Sequence, residues 1–368
     1  MRPFPLIRRR AIGTAHAIGT PTKLNLFLEV VGRRPDGFHE LESLFLALDA
    51  GDTMLVRCAP EGRDSLRVSG VPAPEDGTNL VLRAIDRARA SRPIPPLSVH
   101  LRKRTPMGAG LGGGSANAAG VLAHLHDLHP DPRGVEGVRE DAASLGSDIP
   151  FFLFDHASAI GTGRGETLSP LRGPLFGGAP VAFVLVLPAL HSSTAAAFAR
   201  LAFPLTDPEG PISVPAKTFE DSGEWQRGVF NRLEGSVIDA ARPLARLVEH
   251  LENDLVESRD QGKRARSGDG PGAPVPSPIA DRPPDFARDF VPADRMSSSA
   301  STTRRSIMTG SGSAFFLPAR DLTDARRLED RLRRPGGVLE RFTAETGVAV
   351  ETRCARPHLL LSHTPPTP

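Results

Sequence analysis

Apolar and polar residues alternate with period two from Lys23 to Val31: Leu24, Leu26, Leu28 and Val30 share one face, Lys23, Asn25 and Phe27 the other. The pattern predicts a strand whose second face opens with an ammonium and a carboxamide aimed into one space. Spacing alone favours an ordinary half-exposed strand. Gly32-Arg33-Arg34-Pro35-Asp36-Gly37 carries turn chemistry and delivers Phe38, His39 and Glu40 to its far end. An aromatic beside a histidine can stack on and hydrogen-bond a base, although such pairs are more often packing. Further strands are predicted at Thr53 to Cys58, Leu66 to Val68 and Leu97 to Leu101. Thr78 stands before Asn79, Leu80, Val81, Ala84, Ile85 and Ala88, an amphipathic helix with an N-cap candidate.

Residues 136 to 145 read as a short helix that ends at Gly146-Ser147-Asp148-Ile149-Pro150. The apolar run Phe151 to Phe154 is expected as a strand, and Pro150 biases Ile149 towards an extended conformation. Asp148 is then a carboxylate at the edge of a core, although a turn aspartate is usually a local cap. Gly161 to Glu166 is a tight turn. Val181 to Leu187 is expected as a central strand opening a second half, and Thr194 to Phe198 follows a Ser-Ser pair. A helix runs through Leu244, Leu247, Val248 and Leu251, and Met308 to Ala314 is a glycine turn feeding a strand, Phe315 to Leu317. Residues 321 to 342 read as one charged amphipathic helix, and Val348 to Cys354 as a last strand. Strands alternating with helices make this half a small α+β sandwich.

Composition adds boundaries. A chain of 368 residues has room for two domains. Its net charge of +2 gives no bulk attraction for nucleic acid. Two cysteines, Cys58 and Cys354, make no disulfide framework and suit a reducing cytosol. No apolar run reaches the roughly 20 residues of a membrane span. From about Arg259 to Arg305 the chain is rich in Gly, Pro, Ser, Asp and Arg without periodicity, which predicts a disordered insertion. The first residues hold Arg8, Arg9 and Arg10, no acid and no secretory apolar core, and are expected as a flexible leader, with an organelle-targeting peptide as the lesser alternative.

The densest chemistry lies at residues 106 to 120. Gly108, Gly110, Gly112, Gly113 and Gly114 precede Ser115 and a small-residue run that passes into the helical pattern Val121, Leu122, Leu125. Without Cβ atoms a loop can turn several amides inward around a polyphosphate, and the following helix adds its free amides and positive dipole end. Gly108, Gly110 and Gly113 match G-x-G-x-x-G. A dinucleotide fold needs its strand to run straight into the first glycine, whereas Lys103, Arg104, Thr105 and Pro106 intervene here. A plain structural turn would need fewer glycines, and no Walker pattern occurs.

Three pieces together resemble the GHMP kinases. They are Pro21 to Leu28 continuing through Gly32 to Leu41, Pro106 to Ala119 with Gly146 to Pro150, and Thr309 to Ala314. The resemblance implies a two-domain α+β GHMP kinase fold. An N-terminal α/β domain of the ribosomal-protein type is expected at 20–178 and a C-terminal ferredoxin-like α+β sandwich at 179–258 and 306–358. A leader at 1–19, an insertion at 259–305 and a flexible tail at 359–368 complete the division. Thr22, Phe38 and Ala116 depart from the alanine, tyrosine and serine usual in the family.

The first piece resembles the branch that phosphorylates a cytidine-diphosphate-linked polyol on its 2-hydroxyl, rather than the mevalonate or homoserine kinases. A non-catalytic nucleotide-binding regulator on the same fold is the other alternative. The resemblance implies ATP as donor, with Mg2+ whose protein ligands it leaves open. Lys23 and Asp148 are the expected catalytic pair. Pro106, Met107, Gly108, Ala109, Gly110, Leu111, Gly112, Gly113, Gly114 and Ser115 are expected to hold ATP, with Asn79 and Lys103 on its adenine side. Asn25, Phe38, His39, Thr194, Phe198, Gly310 and Gly312 are expected around the acceptor. It further implies a cytoplasmic monomer or homodimer acting on small molecules, with no nucleic-acid or membrane partner.

Overall fold

The computed structural model describes residues 3–59, 62–171, 173–201, 213–267 and 306–358, with the backbone alone for 256–267. Strand β1 (Arg8–Ile12) turns back antiparallel onto β2 (Ala15–Gly19). The long strands β3 (Thr22–Arg33) and β4 (His39–Leu48) pair next, around the turn at 34–38. Strand β5 (Thr53–Cys58) returns to β2, and β6 (Ser65–Gly70), helix α1 (Leu80–Arg89) and β7 (Leu97–Lys103) complete a first sheet of order β1-β2-β5-β7-β6. Asn79 is the α1 cap, its side chain accepting from the Val81 amide, rather than Thr78 before it.

Residues 1–19 are therefore not a flexible leader where the structure describes them. Phe4, Leu6 and Ile18 are fully buried and Ile7 nearly so, in one core with Met54, Val56 and Val99. The arginine run concealed an edge strand: Arg8 and Arg10 alternate outward, while Arg9 turns in to meet Asp127 at 3.3 Å.

Helices α2 (Gly113–Leu128) and α3 (Gly134–Leu145) follow, then α4 (Ile149–Phe152), where a strand was expected. A short apolar run cannot distinguish the two by periodicity, and Pro150 sits in the first turn, where a missing N–H costs nothing. Strands β8 (Ser158–Gly163) and β9 (Thr167–Ser169) join β4, so the turn expected from Gly161 narrows to residues 164–166.

In the second half, β10 (Ala182–Pro188) is buried at every position. Helices α5 (Thr194–Ala199) and α6 (Ala216–Glu220), strand β11 (Phe230–Asn231) and helices α7 (Glu234–Ile238) and α8 (Arg242–Ser267) follow. Helix α8 thus runs past Arg259 into the segment expected to be disordered, whose residues 268–305 lie outside the described residues, as does the expected tail at 359–368. Strands β12 (Ile307–Met308) and β13 (Phe315–Ala319), helices α9 (Leu322–Arg333) and α10 (Val338–Thr346) and strand β14 (Val350–Ala355) close the chain. The single helix expected at 321–342 is two, because Pro335-Gly336-Gly337 interrupts it.

The third sheet, β12-β13-β10-β14, has a helix-covered face and a sheet-covered face. Ala182, Val184 and Val186 pack against α8, α9 and α10, whereas Phe183, Leu185 and Leu187 meet Leu24, Leu26 and Leu44 of the second sheet. That second sheet, β11-β3-β4-β8-β9, takes one strand from the far half of the chain: β11 lies parallel to β3, Phe230 opposite Phe27. Both faces of β3 are consequently buried, which removes the half-exposed reading. A bulge between Asn25 and Phe27 also reverses the alternation, so Leu28 joins Lys23 and Asn25 on one cavity wall.

Candidate functional site

A cavity of about 320 Å³ opens where the glycine loop, β3, β4 and the second glycine turn meet. Pro106 to Ser115 form one wall, and Lys23, Asn25, Asp148, Thr194, Phe198 and Gly310 complete its lining from the expected residues. Backbone geometry explains why the loop must be glycine. Gly110 has φ +76°, and a Cβ there would lie 2.0 Å from the Thr309 carbonyl oxygen. The loop is held by its own main chain: Leu111 O accepts from the Lys23 amide at 3.0 Å, and Ala109 O from the Ala314 amide at 3.2 Å. Gly112 caps α2 with no capping side chain, and Ala116 N makes the first bond back, to Gly112 O. The amides of Gly113, Gly114 and Ser115 thus head a helix of 16 residues at the cavity wall, an arrangement that suits an anion.

Lys23 and Asp148, 125 positions apart in sequence, meet at this wall with Nζ 3.4 Å from Oδ1. The lysine side chain is only 5% exposed and the aspartate 35%, so the carboxylate faces the open space with the ammonium behind it. Lys23 Nζ also donates to Asn25 Oδ1 at 2.9 Å and stands 4.8 Å from the Phe45 ring centroid. Asn25 Nδ2 donates to Ser43 Oγ, which donates to Phe27 O, so the carboxamide is fixed in orientation. The Asn25 amide donates to Thr309 Oγ1, tying β3 to the second glycine turn.

The far wall carries the aromatic residues. His39 stacks on Phe198 at 4.8 Å and 19°, and sits behind Phe198 rather than in the lining. Burial, with the Arg33 charge adding to it, lowers the His39 pKa below its ordinary value and favours the neutral imidazole. Phe38 is 54% exposed and outside the lining, where the Arg164 guanidinium covers its ring at 5.0 Å. Gly312 likewise lies beneath the second turn, a Cβ there meeting Met308 Sδ at 2.6 Å.

The two expected adenine-side residues lie outside the lining of this cavity. Lys103 is buried in an ion pair with Asp52, Nζ to Oδ2 2.9 Å, and is absent from the lining. Asn79 is spent on capping α1 and on the Pro74 carbonyl, and does not line the cavity either. Asp52 supports the site without any sequence signal of that role. It accepts from Lys103, from the Arg104 and Thr105 amides and from Asn117 Nδ2, which pins the approach to the glycine loop onto α2. Burial alone would raise its pKa, but the Lys103 charge and these hydrogen bonds prevail and hold it below the usual carboxylate range.

Arg164, Ser43 and Ser311 also line the cavity unforeseen. Asn231 holds the second turn by donating to the carbonyls of Met308 and Gly310, each at 2.8 Å. The only sequence signal for these was their polarity beside apolar runs.

Among known proteins, the family model described as the GHMP kinases N terminal domain matches residues 79–156. The chloroplastic 4-diphosphocytidyl-2-C-methyl-D-erythritol kinase of Oryza sativa subsp. japonica is 36% identical over 234 residues, which is 63% of this chain and 57% of that protein. The kinase of the same name from Marinobacter nauticus is 42% identical over 163 residues, 44% and 56% of the two chains. The chain thus spans less than two thirds of the length of these curated relatives. A crystal structure of 4-(cytidine 5'-diphospho)-2C-methyl-D-erythritol kinase superposes with TM-score 0.58 at 27% identity, covering 92% of this chain and 98% of that one. The homoserine kinase of Cytophaga hutchinsonii shares the fold, with TM-score 0.56 at 11% identity and coverage of 95% and 96%.

Proposed function

We propose that this chain, whose residues 79–156 match the GHMP kinases N terminal domain and whose fold superposes on a solved 4-(cytidine 5'-diphospho)-2C-methyl-D-erythritol kinase, transfers the γ-phosphoryl group of ATP to the 2-hydroxyl of 4-diphosphocytidyl-2-C-methyl-D-erythritol. The products are ADP and the 2-phosphate, and the place of action is the cytoplasm, in the non-mevalonate route to isopentenyl diphosphate. No described helix is long and apolar enough to cross a membrane. The observation that carries the reading is the Lys23–Asp148 pair, 3.4 Å apart in a cavity shared with the glycine loop.

In this reading the amides at the head of α2 and the loop around Gly110 hold the triphosphate. Several must act together, since each favourable helix-end interaction contributes only about 0.3–2 kcal/mol. A tertiary alcohol is a weak nucleophile, and its proton leaves as the O–P bond forms. Asp148 is the base placed to take it, and Lys23 offsets negative charge on the transferring phosphoryl oxygens. Asn25, locked by Ser43, and Thr194 orient the acceptor. The cytosine belongs near Phe198 and the neutral His39, with Arg164 supplying a cation on that side.

Magnesium fits this donor set as a companion of the nucleotide. Among the described residues no group of three or more His, Cys, Asp or Glu can hold a metal, and Mg2+ readily binds through phosphates, water and one carboxylate. Asp148 and the Ser115 hydroxyl are the oxygen donors of the wall that would face it, and it would supply charge neutralisation for the triphosphate.

The test is ADP release with ATP, Mg2+ and the cytidyl compound. Release that depends on that compound is expected. Release with mevalonate or homoserine instead would assign the chain to another GHMP activity, and tight ATP binding with no release on any acceptor would make it a regulator.

A further inference from the structure

The carbonyl oxygen of Gly108, inside the glycine loop, accepts two main-chain hydrogen bonds from the far half of the chain: Ser192 N at 3.3 Å and Ser313 N at 3.1 Å. Ser192 makes a second bond, its hydroxyl donating to the Ser311 carbonyl at 2.6 Å. Ser311 Oγ is paired with Thr194 Oγ1 at 2.8 Å, and Ser313 Oγ donates back to Leu190 O. Ser193 caps α5, and that helix presents Thr194 and Phe198 to the cavity. One residue thus clasps the phosphate-side loop, the second glycine turn and the segment that forms the acceptor wall.

The geometry points to Ser192 as a positioning residue that couples the two ligand subsites, so that ordering of the glycine loop by a nucleotide also orders the acceptor wall. The wall needs such support. Thr194 is exposed and α5 has only six residues, too few to be stable by itself. The ordering cost of 190–199 is met once, when the nucleotide arrives, and the second ligand then binds a wall already in place. Linkage requires the effect to be reciprocal: acceptor must tighten nucleotide by the same factor. Ser192 is not itself in the cavity lining and acts through Gly108 and Ser311, which are.

The inference rests on the proposed activity for the identity of the acceptor, and its test separates the two. Calorimetry gives the affinity of the cytidyl compound with and without a non-hydrolysable ATP analogue and Mg2+. In the wild type the analogue should tighten the acceptor about fivefold or more, with the same factor in the opposite order of addition. Ser192→Ala keeps the main-chain bond to Gly108 O and removes only the hydroxyl bond to the Ser311 carbonyl, so it should diminish that factor; Ser192→Thr should restore it, and the isosteric weak donor in Ser192→Cys should give an intermediate value that serves if the alanine variant fails to fold. Amide exchange across 190–199 is read in parallel with the analogue alone, so it needs no acceptor. Protection in the wild type that is diminished in Ser192→Ala supports the coupling even if the cytidyl compound does not bind, an outcome that would overturn the activity only. Undiminished coupling and protection in Ser192→Ala, or no nucleotide-dependent protection in the wild type, overturns the role of Ser192.

Discussion

Asp148 is the single side chain on which the proposed chemistry turns, and its exposure relative to Lys23 sets its expected behaviour. Asp148→Asn keeps the shape and the lysine contact but removes the base. Turnover should fall by orders of magnitude while acceptor KM stays within a few-fold; near-normal kcat would exclude it as the proton acceptor. His124, buried on α2 and 4.7 Å from the His16 ring, gives a pH prediction. Burial first, then the His16 and Arg9 charges, push its pKa down to about 4. The unfolded chain therefore binds a proton between about pH 6.5 and 4 that the folded chain refuses, so its contribution is intact above 6.5 and is lost as pH falls. Urea unfolding at pH 7.5 and 5.0 should differ by about 2 kcal/mol from this residue, and the difference should shrink in His124→Gln. Lys23, Asn25, Asp148, Thr194 and Phe198 were legible as residue types in a resembling pattern. The buried ion pair of Lys103 left no trace in the sequence because its partner Asp52 lies 51 positions earlier, and burial that depends on a distant partner has no local pattern.

At the scale of elements, most strands and helices followed from periodicity. The exceptions have local causes: a bulge in β3 reversed its faces, a proline started α4, and Pro335 with two glycines divided α9 from α10. The Asp52 cluster is the junction that fixes β5, the end of β7 and α2 to one another. Asp52→Asn leaves the Lys103 ammonium buried without its charge partner, which should destabilise the fold by about 3–5 kcal/mol. It should also weaken nucleotide binding, because residues 103–106 lead directly into the glycine loop. Denaturant midpoints and nucleotide affinity measure the two effects. Asp52→Asn combined with Lys103→Met should recover part of the stability, and a variant as stable as the wild type would deny the cluster its structural weight.

For the whole molecule, the N-terminal hairpin is the feature least visible in the sequence, since three arginines outweighed the scattered Phe4, Leu6, Ile7 and Ile18. Removing residues 1–20 strips those four side chains from the first core. At about 1.5–3 kcal/mol per buried side chain the loss is comparable to an entire domain stability of about 5–15 kcal/mol. The truncated chain should lack a cooperative melting transition by circular dichroism; melting at the full-length temperature would return this segment to the status of a leader.

The parallel pairing of β11 with β3 also has a bearing on how the molecule is made. A nascent chain displays the edge of β3 to its surroundings from the moment that strand leaves the ribosome, and the strand that covers it, with Asn231 anchoring the turn at Met308 and Gly310, is translated far later. Products of premature termination before Phe230 would carry that unprotected edge permanently, and are the species from which intermolecular sheet growth would start.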